Sequence, residues 1–290
     1  MKKISIYLFV LFTAITLTTS CNKDDDMSTL KLNISDLENL GSNYAYEGWL
    51  IVDGNPVSTG TFTVDNNGKM SKSNFEIKSD DLEMATTFVL TIEPSPDNDP
   101  APSEVHILGG DFSNGSASLT ISHGAALSTD FGSSSGIFLL ATPSDGADSN
   151  EKSGLWFLDP SSGSPKKGLS LPSLPSGWIY EGWAVINGTP VSTGTFSASD
   201  MADNSAPYSG SAPTPPFPGE DFLKNAPSGL TFPTDLRGGM AVISVEPVPD
   251  NSASPFAIKP LVGMIDQNAM DHTPYHMGQN SSFPKGTASR

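Results

Sequence analysis

Residues 46–62 read YEGWLIVDGNPVSTGTF, and residues 180–196 read YEGWAVINGTPVSTGTF. Twelve of these seventeen positions are identical, across a separation of 134 residues. In the first copy an apolar run, Trp49-Leu50-Ile51-Val52, stops at Asp53-Gly54, and a second β-rich run continues to Val64. Asp53-Gly54, and Asn187-Gly188 in the second copy, are the pairs that supply positive φ to a tight two-residue hairpin turn. Short runs bounded by Gly, Pro and Asn predict strand–turn–strand, and no 3.6-residue period survives long enough to suggest a helix.

The duplication extends further. TIEPSPDN at 91–98 matches SVEPVPDN at 244–251, now 153 residues apart, so the second copy holds nineteen extra residues between its matched blocks. These fall in the Pro-rich stretch SAPYSGSAPTPPFPGEDF, which reads as a long surface loop. The expected fold is all-β: two tandem Ig-like β-sandwiches, with Trp49, Trp178 and Trp183 as core anchors. The expected boundaries are residues 30–121 for the first sandwich and 136–290 for the second. The second sandwich would carry the Pro-rich insertion near 200–235 and a C-terminal surface tail. The Ser/Gly/Ala-rich stretch 122–135 reads as a linker that leaves the two free to fold separately.

The chain has 290 residues and a net charge of −17. Residues 1–20 have the form of a secretion signal: Lys2 and Lys3, an apolar run from Ile4 to Leu17, then small residues before Cys21. A cysteine at the cut point makes this stretch resemble a bacterial lipoprotein signal, which implies lipidation of Cys21. Cys21 is the only cysteine, so no disulfide can form within the chain. Residues 21–29 read as an acidic tether, and NKDDD after the cysteine resembles the surface-export signal of Bacteroidota lipoproteins. Both resemblances imply an outer-membrane protein held by lipid and displayed on the cell surface. Cleavage would remove two lysines and no acid, taking the charge from −17 to −19. Such a surface repels nucleic acid.

Tyr46, Trp49, Gly54, Pro56-Val57-Ser58, Gly60, Phe62 and Glu93-Pro94 together resemble the C-terminal, extracytoplasmic domain of anti-sigma-K factors. The second copy matches at Tyr180, Trp183, Gly188, Pro190-Val191-Ser192, Gly194, Phe196 and Glu246-Pro247. The resemblance implies a β-sandwich outside the membrane. Regulators of that family also carry a cytosolic zinc-binding domain and a spanning helix, and this sequence shows neither.

Few constellations suggest chemistry. Gly132-Ser133-Ser134-Ser135-Gly136 matches the nucleophile-elbow pattern, yet it lies in the low-complexity stretch without a strand before it or a helix after it. Asp271, His272, His276 and Met277, with Met264 and Met270 nearby, could surround copper or zinc on a loop. Glu47 and Glu181, beside their tryptophans, and Glu93 and Glu246, before their prolines, read as strand-edge or turn hydrogen-bonders. Asp97-Asn98-Asp99 and Asp250-Asn251 read as turn residues, or as Ca²⁺-binding loops if they prove cage-like. The expectation is a non-catalytic envelope protein without a cofactor, binding or scaffolding an envelope protein or glycan. The alternatives are an extracytoplasmic sensor or accessory module of an anti-sigma-type system, and an envelope hydrolase.

Overall fold

The duplicated stretch forms the same hairpin twice. Strand β2 (Tyr44–Val52) pairs with β3 (Asn55–Phe62), and β13 (Trp178–Ile186) pairs with β14 (Thr189–Phe196). Both turns have positive φ at both central residues: Asp53 and Gly54 at 50° and 79°, Asn187 and Gly188 at 51° and 84°. That is the type I′ geometry expected of Asp-Gly and Asn-Gly. Each hairpin also carries one β-bulge, at Gly48/Trp49 and at Gly182/Trp183. The extra residues, Thr59 and Thr193, are buried, and the Thr59 hydroxyl donates to the Gly48 carbonyl at 3.0 Å. Tyr46 and Tyr180 anchor their hydroxyls to carbonyls eight residues upstream, Glu38 and Pro172, at 3.0 and 2.7 Å.

The computed structural model describes residues 26–146, 149–250 and 252–290. It is all-β, built on two large antiparallel sheets. The first half of the chain adds β1 (Met27–Ser35), β4 (Asn74–Lys78), β5 (Thr87–Pro94), β6 (His106–Ser113) and β7 (Ser116–Thr120), with one short helix, α1 (Ser79–Met84). The second half adds β8 (Ser135–Leu140), β9 (Gly154–Trp156), β10 (Leu158–Asp159), β11 (Lys166–Lys167), β12 (Leu169–Ser170), β15 (Gly219–Asp221), β16 (Met240–Pro247), β17 (Leu261–Met264) and β18 (Tyr275–Gln279). The last strand is β19 (Lys285–Ser289). The first sheet runs β3-β2-β5-β6-β7-β19-β1-β4, and the second runs β14-β13-β16-β17-β18-β8-β9-β15 with β12 paired to β8. The first sheet curls over its core until its two edges meet, placing the Phe62 and Phe75 rings 6.1 Å apart. No helix among the described residues is long and apolar enough to cross a membrane.

The strand orders correct the expected domain boundaries. The expected second unit, 136–290, would hold both β8 and β19. Strand β8 inserts between β18 and β9 of the second sheet, within the expected second unit. Strand β19, however, inserts between β7 and β1 of the first sheet. The end of the expected second domain is therefore an interior strand of the first sheet. The physical reason is edge pairing: β1 and β7 leave rows of N–H and C=O groups that a five-residue strand with a buried Ala288 can satisfy on both sides.

The stretch 122–135 is likewise a packed crossover and not a loose linker. Ala126, Leu127, Phe131 and Ser134 are buried. Phe131 meets Phe283 of the other crossover at 5.8 Å, and the Gln279 amide donates to the Gly132 and Ser134 carbonyls at 2.9 and 2.7 Å. One continuous apolar core, from Leu30 to Ala288, joins both sheets. The Pro-rich insertion is also more than a surface loop. It supplies β15, whose Glu220 and Asp221 are fully buried, and a cluster of Tyr208, Phe222 and Phe232 rings 5.4–5.9 Å apart.

Candidate functional site

Strand alternation turns Tyr46 and Leu50 of β2 into the main core and Glu47 and Trp49 to the opposite face. There the expected anchors play a different part. Trp49 is buried, but its Nε1 donates to the Thr91 hydroxyl at 2.9 Å, and Thr91 in turn donates to the Glu93 carboxylate. Glu93 also accepts the Ser103 amide at 2.9 Å, which ties down the loop after β5. Glu47 accepts the Ser58 hydroxyl. The second copy repeats every link: Trp183 donates to Ser244 at 2.8 Å, Ser244 to Glu246, and Ser192 to Glu181, while Glu246 accepts the Phe256 amide at 2.9 Å. The duplication thus preserves a polar network behind each hairpin as well as a hairpin sequence.

Each network contains two buried carboxylates on neighbouring strands and a third acid from the loop beyond. In the second copy Glu181, Glu246 and Asp250 bring one carboxylate oxygen each to within 4.8 Å of one another. Glu181 is 5% exposed and Glu246 is fully buried. Glu181 Oε1 takes the Ser192 hydroxyl, whereas Oε2 is buried without a hydrogen-bond partner. Burial, followed by the charge of the neighbouring carboxylates and, for Glu181, by its carboxyl contact with Asp250, pushes the pKa of Glu181 and of Glu246 above the ordinary carboxylate range. In the first copy burial likewise raises Glu47, with Glu93 and Asp97 adding to the shift.

The second cluster borders a cleft between the two repeat units, with a volume of about 320 Å³. Leu40, Tyr44, Ile92 and Val105 line one side, and Pro247, Val248 and Phe256 the other, with Glu38, Glu246 and Asp250 as its acids. Burial raises Glu38 to about 7, with nearby Lys259 opposing the shift, and burial lowers Lys259. The units approach closely here. A Cβ on Gly177 would lie 2.6 Å from the Glu104 carbonyl carbon, so only glycine fits at that crossing.

The candidate copper or zinc residues are brought together only in part. Asp271 and His272 are adjacent, with Nδ1 to carboxylate at 3.6 Å, and His272 Nε2 lies 3.4 Å from Glu151. Asp271 also pairs with Lys152 at 3.4 Å. His276 and Met277, however, are consecutive residues of β18 and point to opposite faces: His276 is exposed and Met277 is buried against Gly136. Pairing with β8 imposes that alternation, and a loop would not have. Gly132 to Gly136 lead from the crossover into β8, with Ser134 buried. Asp97 and Asp99 cap local turns through amide hydrogen bonds at 2.9 and 3.0 Å. Cys21, the leader 1–20 and Asn251 lie outside the described residues.

Sequence reasoning treated the four glutamates and the two Asp loops as separate structural features, and Glu38 and Lys259 were not singled out. The signal that could have joined them was the repetition itself, since the same carboxylates recur in both copies. No protein-family model, curated protein sequence or solved structure matches the chain.

Proposed function

We propose that the chain is a lipid-anchored envelope protein that binds a partner in the cleft between its two repeat units, without chemistry on that partner. The cleft carries this reading: its walls are apolar side chains and prolines, and each unit contributes acid, Glu38 from the first and Glu246 and Asp250 from the second. That composition suits a segment with apolar groups and a positive charge, such as a basic–apolar stretch of an envelope protein. Glu93 and Glu246 are engaged by strand hydroxyls and loop amides, an arrangement that serves to hold the walls in place. The lipoprotein-like leader, Cys21 and the acidic tether support attachment at the outer membrane, facing outward, and the anti-sigma-K-like repeat supports an extracytoplasmic setting.

The test pairs a library of basic–apolar peptides and a glycan array with a double variant, Tyr44→Arg plus Val248→Arg, which reverses the polarity of the cleft mouth. Binders lost in the folded double variant are the expected result. Binders that bind it equally well, or no binder in either collection, would overturn the cleft as the binding site.

A further inference from the structure

We propose that Glu181, Glu246 and Asp250 hold a hard divalent cation, Ca²⁺, which fixes the loop at 248–256 against the back of the second hairpin. The spacing fits. Ca²⁺ takes oxygen ligands at about 2.3–2.6 Å, so two ligands on opposite sides of the ion lie roughly 4.6–5.2 Å apart. The three carboxylate oxygens are all within 4.8 Å of one another.

The second observation is the unpartnered oxygen. Glu181 Oε2 is buried and meets no N–H or O–H donor, and the Glu181 side chain faces the Asp250 carboxyl, a pair of acceptors that only a proton or a cation can bridge. A buried carboxylate oxygen left without a partner is costly, and a cation restores what it lost on leaving water. The local charge points the same way. Glu38, Glu181, Glu246 and Asp250 act on one another, and Lys259 is the cation that acts on Glu38 and Glu246. Lys259 offsets a single charge, and a divalent ion held by the three clustered carboxylates would offset two more.

The donors are all oxygen, which excludes the softer metals as natural occupants. Mg²⁺ dehydrates reluctantly and keeps several waters, so a buried, irregular set of carboxylates suits Ca²⁺ better. Each glutamate is already held by a serine hydroxyl, Ser192 for Glu181 and Ser244 for Glu246, and the Phe256 amide orients Glu246 further. The half-buried Asp250 is the ligand that arrives with the loop. Pro247, Val248 and Phe256, on or beside this segment, form one wall of the cleft. The ion would therefore set the cleft's shape, and this consequence alone rests on the binding role proposed above.

The experiment strips the purified protein with EDTA and titrates it with CaCl₂, reading thermal unfolding. Tb³⁺ is used in parallel as a luminescent substitute excited through Trp183, whose hydrogen-bond chain ends on Glu246. The expected results are a melting temperature raised by several degrees at saturating Ca²⁺, and sensitised Tb³⁺ emission that Ca²⁺ displaces. Both should be lost in Asp250→Asn, a half-buried loop change chosen because it leaves the strands intact, and in Glu181→Gln. The exposed, remote Glu76→Gln should keep both. Unchanged melting with Ca²⁺, or a response that survives in Asp250→Asn, overturns the proposal. So does a Ca²⁺-indifferent protein stabilised by Glu181→Gln, because the carboxylates would then share a proton in place of an ion. None of these readouts uses the cleft ligand, so the site and the binding role stand or fall separately.

Discussion

Removing β19 should destabilise the N-terminal half of the protein, although β19 lies at the opposite end of the chain. A chain ending at Pro284 loses five residue pairs with β1 and five with β7. Antiparallel ladders of that length hold about ten backbone hydrogen bonds, each contributing roughly 0.5–1.5 kcal/mol net. Burial of Ala288 and the cover over Leu32 and Leu119 are lost as well. The Arg290 guanidinium bonds to the Leu82, Glu83 and Ala85 carbonyls go too, while six residues, 285–290, no longer need ordering, which returns about 1–2 kcal/mol apiece. The net loss is about 3–5 kcal/mol, a large share of a typical stability of about 5–15 kcal/mol. For a protein of this size that lowers the melting temperature by roughly 10 °C. Calorimetry should show one transition in the intact chain, since a single core joins both sheets, and one lowered transition in the truncated chain. Hydrogen exchange should show lost protection in β2 as well as at the exposed edges of β1 and β7. Two separate transitions in the intact chain, or a truncation that leaves melting and the protection of β2 unchanged, would refute the insertion of β19 into the first sheet.

Two further perturbations test the local reasoning. Glu220 is fully buried, and burial first, then the charge of Asp221, raises its pKa to about 7 against partial opposition from Ser209, Tyr208 and the Asp221 amide. A carboxyl raised in the folded state binds more protons there than in the unfolded chain. Its contribution is full below about pH 4.5 and is lost as pH rises through 7. Denaturant unfolding should show the chain losing on the order of 3 kcal/mol across that window from this group, and Glu220→Gln should flatten the slope; an equal slope in the variant would remove Glu220 as its source. Gly182→Ala should cost about 1–3 kcal/mol by overpacking, because its Cβ would come within 2.8 Å of the Phe157 ring and also strike Thr193. Urea unfolding reads that loss, and a variant as stable as the parent would show that the bulge relaxes freely.

The doubled stretch determined much by itself. Asp53-Gly54 and Asn187-Gly188 dictate their turns through positive φ, a local property that needs no knowledge of the rest of the chain. The all-β class follows from the same local chemistry. Neighbouring residues could not reveal which sheet β19 would join, because any short strand of the right pattern satisfies any open edge. That choice belongs to the whole fold, and it turned an expected linker and an expected tail into crossovers between two sheets. Strand alternation, also imposed by pairing, turned His276 and Met277, two of the candidate metal residues, to opposite faces. The carboxylate cluster shows the converse. Glu181, Glu246 and Asp250 were each visible in the sequence, but 65 and then 4 residues separate them. Only the antiparallel register of β13 with β16, which sets Glu181 opposite Ser244 and Ile179 opposite Glu246, places the two glutamates on one face within reach of the loop aspartate.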